Sequence, residues 1–490
     1  MTSLDRQPAE PGTATAETID PKAMRVIWLL LIAAFVAILN ETTMGIAIPH
    51  LNEDLGLPPE IGQWLTSAFM LAMAVVIPTT GFLLQRFTTR QVFLFAMSAF
   101  TTGTLICLVA PNFPFLLAGR IVQALGTGIM MPLLMTTMMN VVPPRSRGRM
   151  MGRVGLVISL APAIGPSLAG AILDSLSWRW IFGIVMPIAI ISLVLGAKWM
   201  TNLGETTNAR IDILSILLSA LGFGNVVFAL SQFGEGSGGD TPSSTLAITM
   251  LSVGLGILLL FVWRQIRLLR HGAPLLDLRV FLTSNFSLSV IIMTSVALSM
   301  FGTLTLLPLY LQTVTGLSAL QAGLLLLPGS VLMGILAPLV GRLYDAIGPR
   351  ILLVSGSALV STVLFFYSVM PDGVPVLLLG AAQTVMAVGM ALSFTPLFSA
   401  SLGSLDRPLY SHGSAVLSTM QQVGGAAGVA ILLATYSGIL HAGEQSGLAG
   451  AAAGIPAARA AFIIAAVISL VPLALAFFIR KPADQETDAG

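Results

Sequence analysis

Apolar side chains come in long runs along this chain, and short polar or arginine-bearing stretches separate them. A helix rises about 1.5 Å per residue and bilayer hydrocarbon is about 30 Å thick, so about 20 apolar residues cross it. Read by hydropathy, the runs predict fourteen membrane-spanning helices near 26–48, 61–84, 91–110, 115–140, 151–173, 178–199, 211–231, 245–263, 284–310, 320–340, 351–370, 375–399, 411–437 and 458–479. Residues 1–25 and 481–490 are polar and read as tails, the first as a disordered one. No short apolar core with a small-residue cleavage site opens the chain, so the first run is expected to stay as an anchor rather than leave as a signal peptide.

Composition sharpens this picture. Hydrophobic residues make up 56% of the 490 and charged residues 9%, where a soluble domain carries about 25% charge. One compact soluble domain is excluded. The formal net charge is +2, and the charges sit between apolar runs, so there is no clustered basic face for nucleic acid. Cys107 is the single cysteine, which rules out a disulfide within the chain. The four histidines, His50, His271, His412 and His441, show no metal-ligand spacing. Glycine-rich Gly234–Gly239 lacks the Lys-Ser/Thr of a nucleotide loop. No nucleophile–base or metal constellation appears, so neither an enzyme nor a resident cofactor or metal is expected.

Charge also orients the spans. Basic residues favour the cytoplasmic side of short loops. With the N-terminus inside, 20 of the 23 Lys and Arg residues fall on inner segments, only Arg179 and Arg459 on outer loops, and Arg120 within a span. The bias holds on both flanks of the weakest pair of spans, 211–231 and 245–263. An odd number of spans would invert one half and destroy it. Fourteen spans with both termini cytoplasmic are therefore expected, in a multi-pass protein of the cell membrane.

The chain also repeats itself. Pro78, Gly81, Leu83 and Arg90 recur 260 residues later as Pro338, Gly341, Leu343 and Arg350, and Leu51, Gly56 and Leu57 recur as Leu311, Gly316 and Leu317. Both halves, about 24–200 and 282–480, begin on the inner side. The repeat is thus parallel and implies a pseudo-twofold axis along the membrane normal, an arrangement known in secondary transporters. The domain reading is a six-helix bundle over 26–200, a linker with two extra spans over 201–281, and a second six-helix bundle over 282–480.

Several motifs, in order, carry a family resemblance. They are Gly81-Phe-Leu-Leu-Gln85-Arg86-Phe-Thr-Thr-Arg90 after the second span, Gly119-Arg120-Ile-Val-Gln123-Ala-Leu-Gly126 in the fourth, and Gly165-Pro166-Ser-Leu-Ala-Gly170 in the fifth. Trp178-Arg179-Trp180 and Gln422-Val-Gly424-Gly425 follow. Together they resemble the major facilitator superfamily, and within it the fourteen-span drug:proton antiporters of EmrB/QacA type, over roughly residues 24–480. The resemblance implies an all-α integral membrane protein with the major facilitator fold: two six-helix bundles related by the pseudo-twofold, plus one inserted two-helix hairpin.

Glu41 is the foremost candidate residue. It lies about 24 Å up the first helix from Arg25, in the outer half of the membrane, where a carboxylate is costly unless it faces a cavity, is paired or is protonated. Two readings stay open, a proton acceptor that attracts cationic cargo and a structural carboxylate paired with an arginine. Where the resembled family carries aspartate, this chain has Asn40, so the acid is displaced by one position. Arg120 lies at a similar depth, and a Glu41–Arg120 pair, direct or through water, is expected; the alternative is a fixed clamp between helices. Gln123, one turn further in, either hydrogen-bonds across the same interface or only packs. By the resemblance, the motifs at Gly81, Gln85, Arg86 and Arg90 and at Gly341, Asp345 and Arg350 latch the halves on the cytoplasmic face. Inner-leaflet anchoring alone is the other reading. The first copy has Gln85 where the second keeps an acid, Asp345. Gly165-Pro166 is expected to break the fifth helix, with a kink that either seals the cavity or only packs, and Gly170 belongs to the same motif. Met130, Met131, Met135, Met138 and Met139 in the fourth span, with Met293, Met300, Met386 and Met390, suit either a pliable pocket or ordinary packing. Asn40, Tyr310, Gln383 and Gln421 could line the route.

The function implied is proton-coupled multidrug efflux of hydrophobic, often cationic compounds by alternating access. The alternative is a dedicated exporter of one metabolite or antibiotic. The partners expected are small hydrophobic substrates, protons and membrane lipid, with no nucleic acid, in a protein that works as a monomer.

Overall fold

The computed structural model describes residues 20–57, 59–202, 212–235, 241–270, 274–448 and 450–482. The described residues are helical throughout, with no strand, and every long helix coincides with one of the apolar runs. In chain order these are α1 (Pro21–Leu55), α2 (Pro59–Val76), α3 (Thr80–Arg86), α4 (Thr89–Leu108), α5 (Phe113–Val141), α6 (Arg147–Leu173), α7 (Arg179–Trp199), α8 (Ile213–Glu235), α9 (Thr241–Leu269), α10 (Ser284–Thr313), α11 (Ala319–Ile347), α12 (Pro349–Ser368), α13 (Val376–Gly403), α14 (Tyr410–Gln445) and α15 (Ala451–Ala476).

A single tight turn at Ile77–Thr79, holding Pro78, joins α2 and α3 into one crossing. Proline cannot supply the backbone donor that a continuous helix needs there. Thirteen crossings are long and apolar enough to span a bilayer. The fourteenth is α6, whose 27 residues reach about 40 Å and whose first two turns hold Arg147, Arg149 and Arg153.

Two expectations are corrected. The first helix begins at Pro21, inside the stretch 1–25 read as a disordered tail, because Asp20 caps it and accepts the Lys22 backbone N–H at 2.9 Å. Residues 1–19 and 483–490 lie outside the described residues. Further along, α6 is not broken at Gly165-Pro166; the helix continues through both to Leu173.

The first and last described residues lie on one face. Arg153 Nη1 reaches the Met24 sulfur at 3.7 Å, the Arg480 backbone N–H donates to Asn285 Oδ1 at 3.0 Å, and Lys481 Nζ donates to the Asp345 carbonyl at 3.1 Å. This is the basic face; the opposite one is called distal below. Helix pairings repeat between the halves. The helix α1 packs on α6, and α4 on α5 and α7; correspondingly, α10 packs on α14, and α12 on α13 and α15. The inserted hairpin α8–α9 packs on itself, and α8 packs on the bundles at α2 and α14.

Candidate functional site

The polar centre of the first half lies between α1, α2, α4 and α5. The helix α5 starts at the distal face, where Asn112 caps it by accepting the Phe115 backbone N–H at 3.3 Å. Arg120 follows about 10 Å down the helix. It is 1% exposed, its guanidinium lies 4.0 Å from the Phe69 ring centroid, and its Nη1 donates to Gln123 Oε1 at 2.7 Å. Gln123 Nε2 in turn donates to Thr104 Oγ1 at 2.8 Å, and that hydroxyl donates to the Phe100 carbonyl at 2.7 Å. Gln123 therefore does hydrogen-bond across an interface, to α4. Phe69 and Thr104, which sequence reading missed, complete the network.

Glu41 stands apart from this network. Arg120 is close enough to act on it electrostatically. Yet among the described residues no salt bridge involves Glu41, so the direct form of the expected pair is not made. Its side chain is half-buried, whereas the neighbouring Asn40 is 1% exposed and both of its amide atoms lack a partner. The Arg120 Nε also lacks one, as does Gln383 Oε1 in the second half. Tyr310 is buried and Gln421 half-buried. In the fourth span Met130, Met135, Met138 and Met139 are core residues. Met135 also lines a small apolar pocket between the halves, with Met151, Met333, Phe394 and Phe398.

On the basic face the halves are closed by two latches of opposite polarity. In the second copy, the Asp345 carboxylate accepts the Gly148 N–H at 2.8 Å and the Arg149 N–H at 2.9 Å. It thereby satisfies two otherwise unpaired donors at the start of α6 and neutralises the positive end of that helix dipole. Gly341 permits the crossing, since a methyl there would stand 2.0 Å from the Gly148 carbonyl oxygen. In the first copy, a methyl at Gly81 would stand 2.9 Å from His412 Nδ1 on α14, and Gln85 Nε2 donates to the Pro408 carbonyl at 3.0 Å. The amide substitutes a neutral donor bond for an acid. Arg86 ends α3. Arg90 Nη2 donates to the Ala197 carbonyl at 2.8 Å, and the Arg350 guanidinium lies 6.0 Å from the Phe477 ring centroid. Both therefore tie helices within their own half.

Elsewhere, Gly165 is a close-approach position where a methyl would stand 2.2 Å from Thr42 Oγ1 on α1, while Gly170 faces open space. Three further cross-half contacts were not anticipated. Arg147 Nη2 donates to Tyr410 Oη at 3.3 Å, Ser414 Oγ donates to the Pro132 carbonyl at 3.3 Å, and buried His412 sits over Gly81. The arginine cluster after the fourth span was the one available signal. Where the linker rejoins the second half, burial works to raise the Asp277 carboxyl. Hydrogen bonds from the Arg279 side chain and backbone outweigh it and hold that carboxyl below the usual carboxylate range.

Comparison with known proteins matches this geometry. A family model described as Major Facilitator Superfamily matches residues 30–429. An uncharacterized MFS-type transporter, YcnB of Bacillus subtilis, is 42% identical over 458 residues, covering 93% of this chain and 95% of the relative. The lincomycin resistance protein LmrB of Bacillus subtilis is 39% identical over 470 residues, covering 94% and 96%. A multidrug resistance protein B homolog of Mycobacterium tuberculosis is 31% identical, covering 86% and 78%. Among solved structures, the human organic anion transporter MFSD10 (TETRAN) superposes with a TM-score of 0.63 at 16% identity, covering 93% of this chain and 100% of that one. At that identity the likeness concerns the fold.

Proposed function

Because the chain belongs to the Major Facilitator Superfamily, whose members matched here are transporters rather than enzymes, we propose that it is a proton-coupled exporter of hydrophobic, often cationic compounds. It works as a monomer of the fourteen-span antiporter group, with its basic face in the cytoplasm. The observation that carries the reading is Glu41, a half-buried carboxylate in the distal half of a membrane span with no salt bridge among the described residues.

A carboxylate held at that depth is either charged, and then attracts a cation, or protonated, and then releases it. Protonation from the distal side displaces a cationic cargo outward. The latches at Asp345 and Gln85 then part, the halves rock, and Glu41 loses its proton to the cytoplasm as new cargo binds. Each elementary charge moved across 100 mV supplies about 2.3 kcal/mol, so proton entry drives efflux without a cofactor. The buried Arg120 supplies a fixed positive charge that keeps Glu41 sensitive to what occupies the cavity.

A second reading, a dedicated exporter of one antibiotic class, is favoured by the relative named for lincomycin resistance. Everted vesicles under an imposed proton gradient test both. Gradient-driven efflux of ethidium, reduced at least about tenfold in Glu41→Gln and stripped of its pH dependence, supports the drug:proton reading; that factor corresponds to about 1.4 kcal/mol of barrier. Unchanged pH dependence in Glu41→Gln removes Glu41 as the coupling group. Transport of lincomycin but not ethidium by the wild type selects the dedicated exporter.

A further inference from the structure

Among the described residues, His412 is the only buried histidine, 2% exposed, and no step of the export cycle uses it. It lies in the first turn of α14, on the basic face, at the seam between the halves. From the first half, the α3 backbone rests on it: a methyl on Gly81 would be 2.9 Å from its Nδ1 and 3.2 Å from its Cα. From the second half, Phe286 of α10 holds the start of α14, and a methyl on Gly413 would meet that ring at 3.2 Å. Its neighbours pair across the halves, Gln85 with the Pro408 carbonyl, Ser414 with the Pro132 carbonyl and Arg147 with Tyr410. The His412 Nδ1 is buried and has no hydrogen-bond partner.

Few charged groups surround the ring. Asp277 and Arg279, at the short helical turn Leu278–Leu282, are close enough to act on it electrostatically. They are bonded to each other, Arg279 Nε reaching both Asp277 oxygens at 3.0 Å, so their fields largely cancel. From α6, Arg147 reaches Tyr410, two residues earlier. The helix α3 brings neutral Gln85 and ends in Arg86, and the turn before α14 carries exposed Asp406 and Arg407. Residues 213–232 of α8, 284–313 of α10 and 376–403 of α13 include no charge, and the charges of α5 and α15, Arg120 and Arg459, lie towards the distal face.

A neutral imidazole keeps one nitrogen as a bare acceptor, whereas the charged ring has an N–H on both. In the closed seam that second N–H faces the Gly81 backbone and finds no acceptor. A buried charge without its hydrogen bond is far costlier than a buried neutral group. The positive end of the α14 dipole adds to the penalty while the seam is dry. With α3 withdrawn, water reaches Nδ1. A proton therefore binds the open form better and, by linkage, favours it. We propose that His412 is a proton-sensing wedge at the α3–α14 seam: neutral, it lets the basic face close; protonated, it parts α3 from α14 and opens that face. Below about pH 6.5, where a hydrated imidazole takes up its proton, the open-to-closed ratio rises by up to about tenfold per pH unit. The wedge goes beyond the export reading and does not depend on it.

The test uses full-length protein with Cys107→Ala and nitroxide labels at Phe87→Cys, just past α3, and Ser404→Cys, just past α13. Pulsed electron resonance reads the distance between the labels in liposomes held at one pH on both sides, from about pH 8 to about pH 5. Glu41→Gln is included throughout, so that carboxyl contributes nothing. With His412 present, the longer-distance population is expected to grow at least about tenfold as the pH falls through this range, while His412→Gln keeps the short distance at every pH. No response with His412 present overturns the proposal. So does a response that survives in His412→Gln, which belongs to another group such as Asp345, or a His412→Gln protein that is open at every pH, which shows packing alone. Asp277→Asn leaves Arg279 uncompensated beside the ring and is expected to move the midpoint to lower pH; an unmoved or higher midpoint overturns the assignment to His412. The measurement needs no substrate and Glu41 is already neutral, so failure of the wedge is separable from failure of the export reading.

Discussion

At the scale of single residues, the first half is organised around a guanidinium in hydrocarbon. Arg120 is tolerated there because the Phe69 ring faces it, Gln123 accepts from it, and Thr104 fixes Gln123 in turn. Removing the middle of such a chain leaves the buried Arg120 guanidinium without its hydrogen-bond partner, while Thr104 keeps its bond to the Phe100 carbonyl. Gln123→Leu is expected to destabilise the protein by about 1–3 kcal/mol, read as a lower melting temperature of the purified protein, with Thr104→Val costing less. Gln123 was legible in the sequence because it sits one turn from Arg120 on the same helix. Phe69 and Thr104 were not, since nothing in the local pattern says which neighbouring helix turns which face towards Arg120. For the same reason the sequence placed Glu41 near Arg120 in depth without showing that no salt bridge closes between them.

At the scale of elements, a helix end joins the two halves on the basic face. The first turn of α6 presents backbone donors, and Asp345 arrives from the other half to accept two of them. Asp345→Asn keeps only one good acceptor and no charge, so closure of the basic face should weaken by about 1 kcal/mol. The check is alkylation of a cysteine placed at the buried Ser414, which should speed up several-fold relative to the same cysteine with Asp345 intact. Gly341→Ala should have a larger effect, because its methyl meets a backbone oxygen that cannot move aside. The second latch was readable as a repeat of the first. Its partner was not, because the donors at the start of α6 are backbone N–H groups, and Ser146 before them makes no side-chain cap. The expected break at Gly165-Pro166 is absent: α6 runs on through both residues to Leu173, and Gly165 lies close against Thr42 of α1.

At the scale of the whole molecule, the inserted hairpin breaks the symmetry of the fold. Its base is a polar staple. Arg264 Nη2 and Nε donate to the two Asp212 oxygens at 2.9 and 3.0 Å, and Gln265 Nε2 donates to Ser215 Oγ at 2.8 Å. Gln265 Oε1 accepts the Leu275 and Leu276 backbone N–H groups of the linker at 2.8 and 3.2 Å. Gln265→Leu orphans both N–H groups and should cost about 1–3 kcal/mol. It should also raise proteolysis in the segment after α9 while leaving the remaining helices protected, which limited digestion in detergent would show.

The spans and the parallel repeat followed from residue order alone, because hydrocarbon forces every crossing to be a helix of fixed minimum length. The depths of Glu41 and Arg120 followed in the same way, from 1.5 Å per residue. Rotation about each helix axis and the choice of neighbours did not. Within lipid, apolar faces are nearly interchangeable, so the partners of Arg120, the donors that meet Asp345 and the helices that α8 packs on were set by how fourteen crossings pack together, through close contacts between residues far apart in the chain.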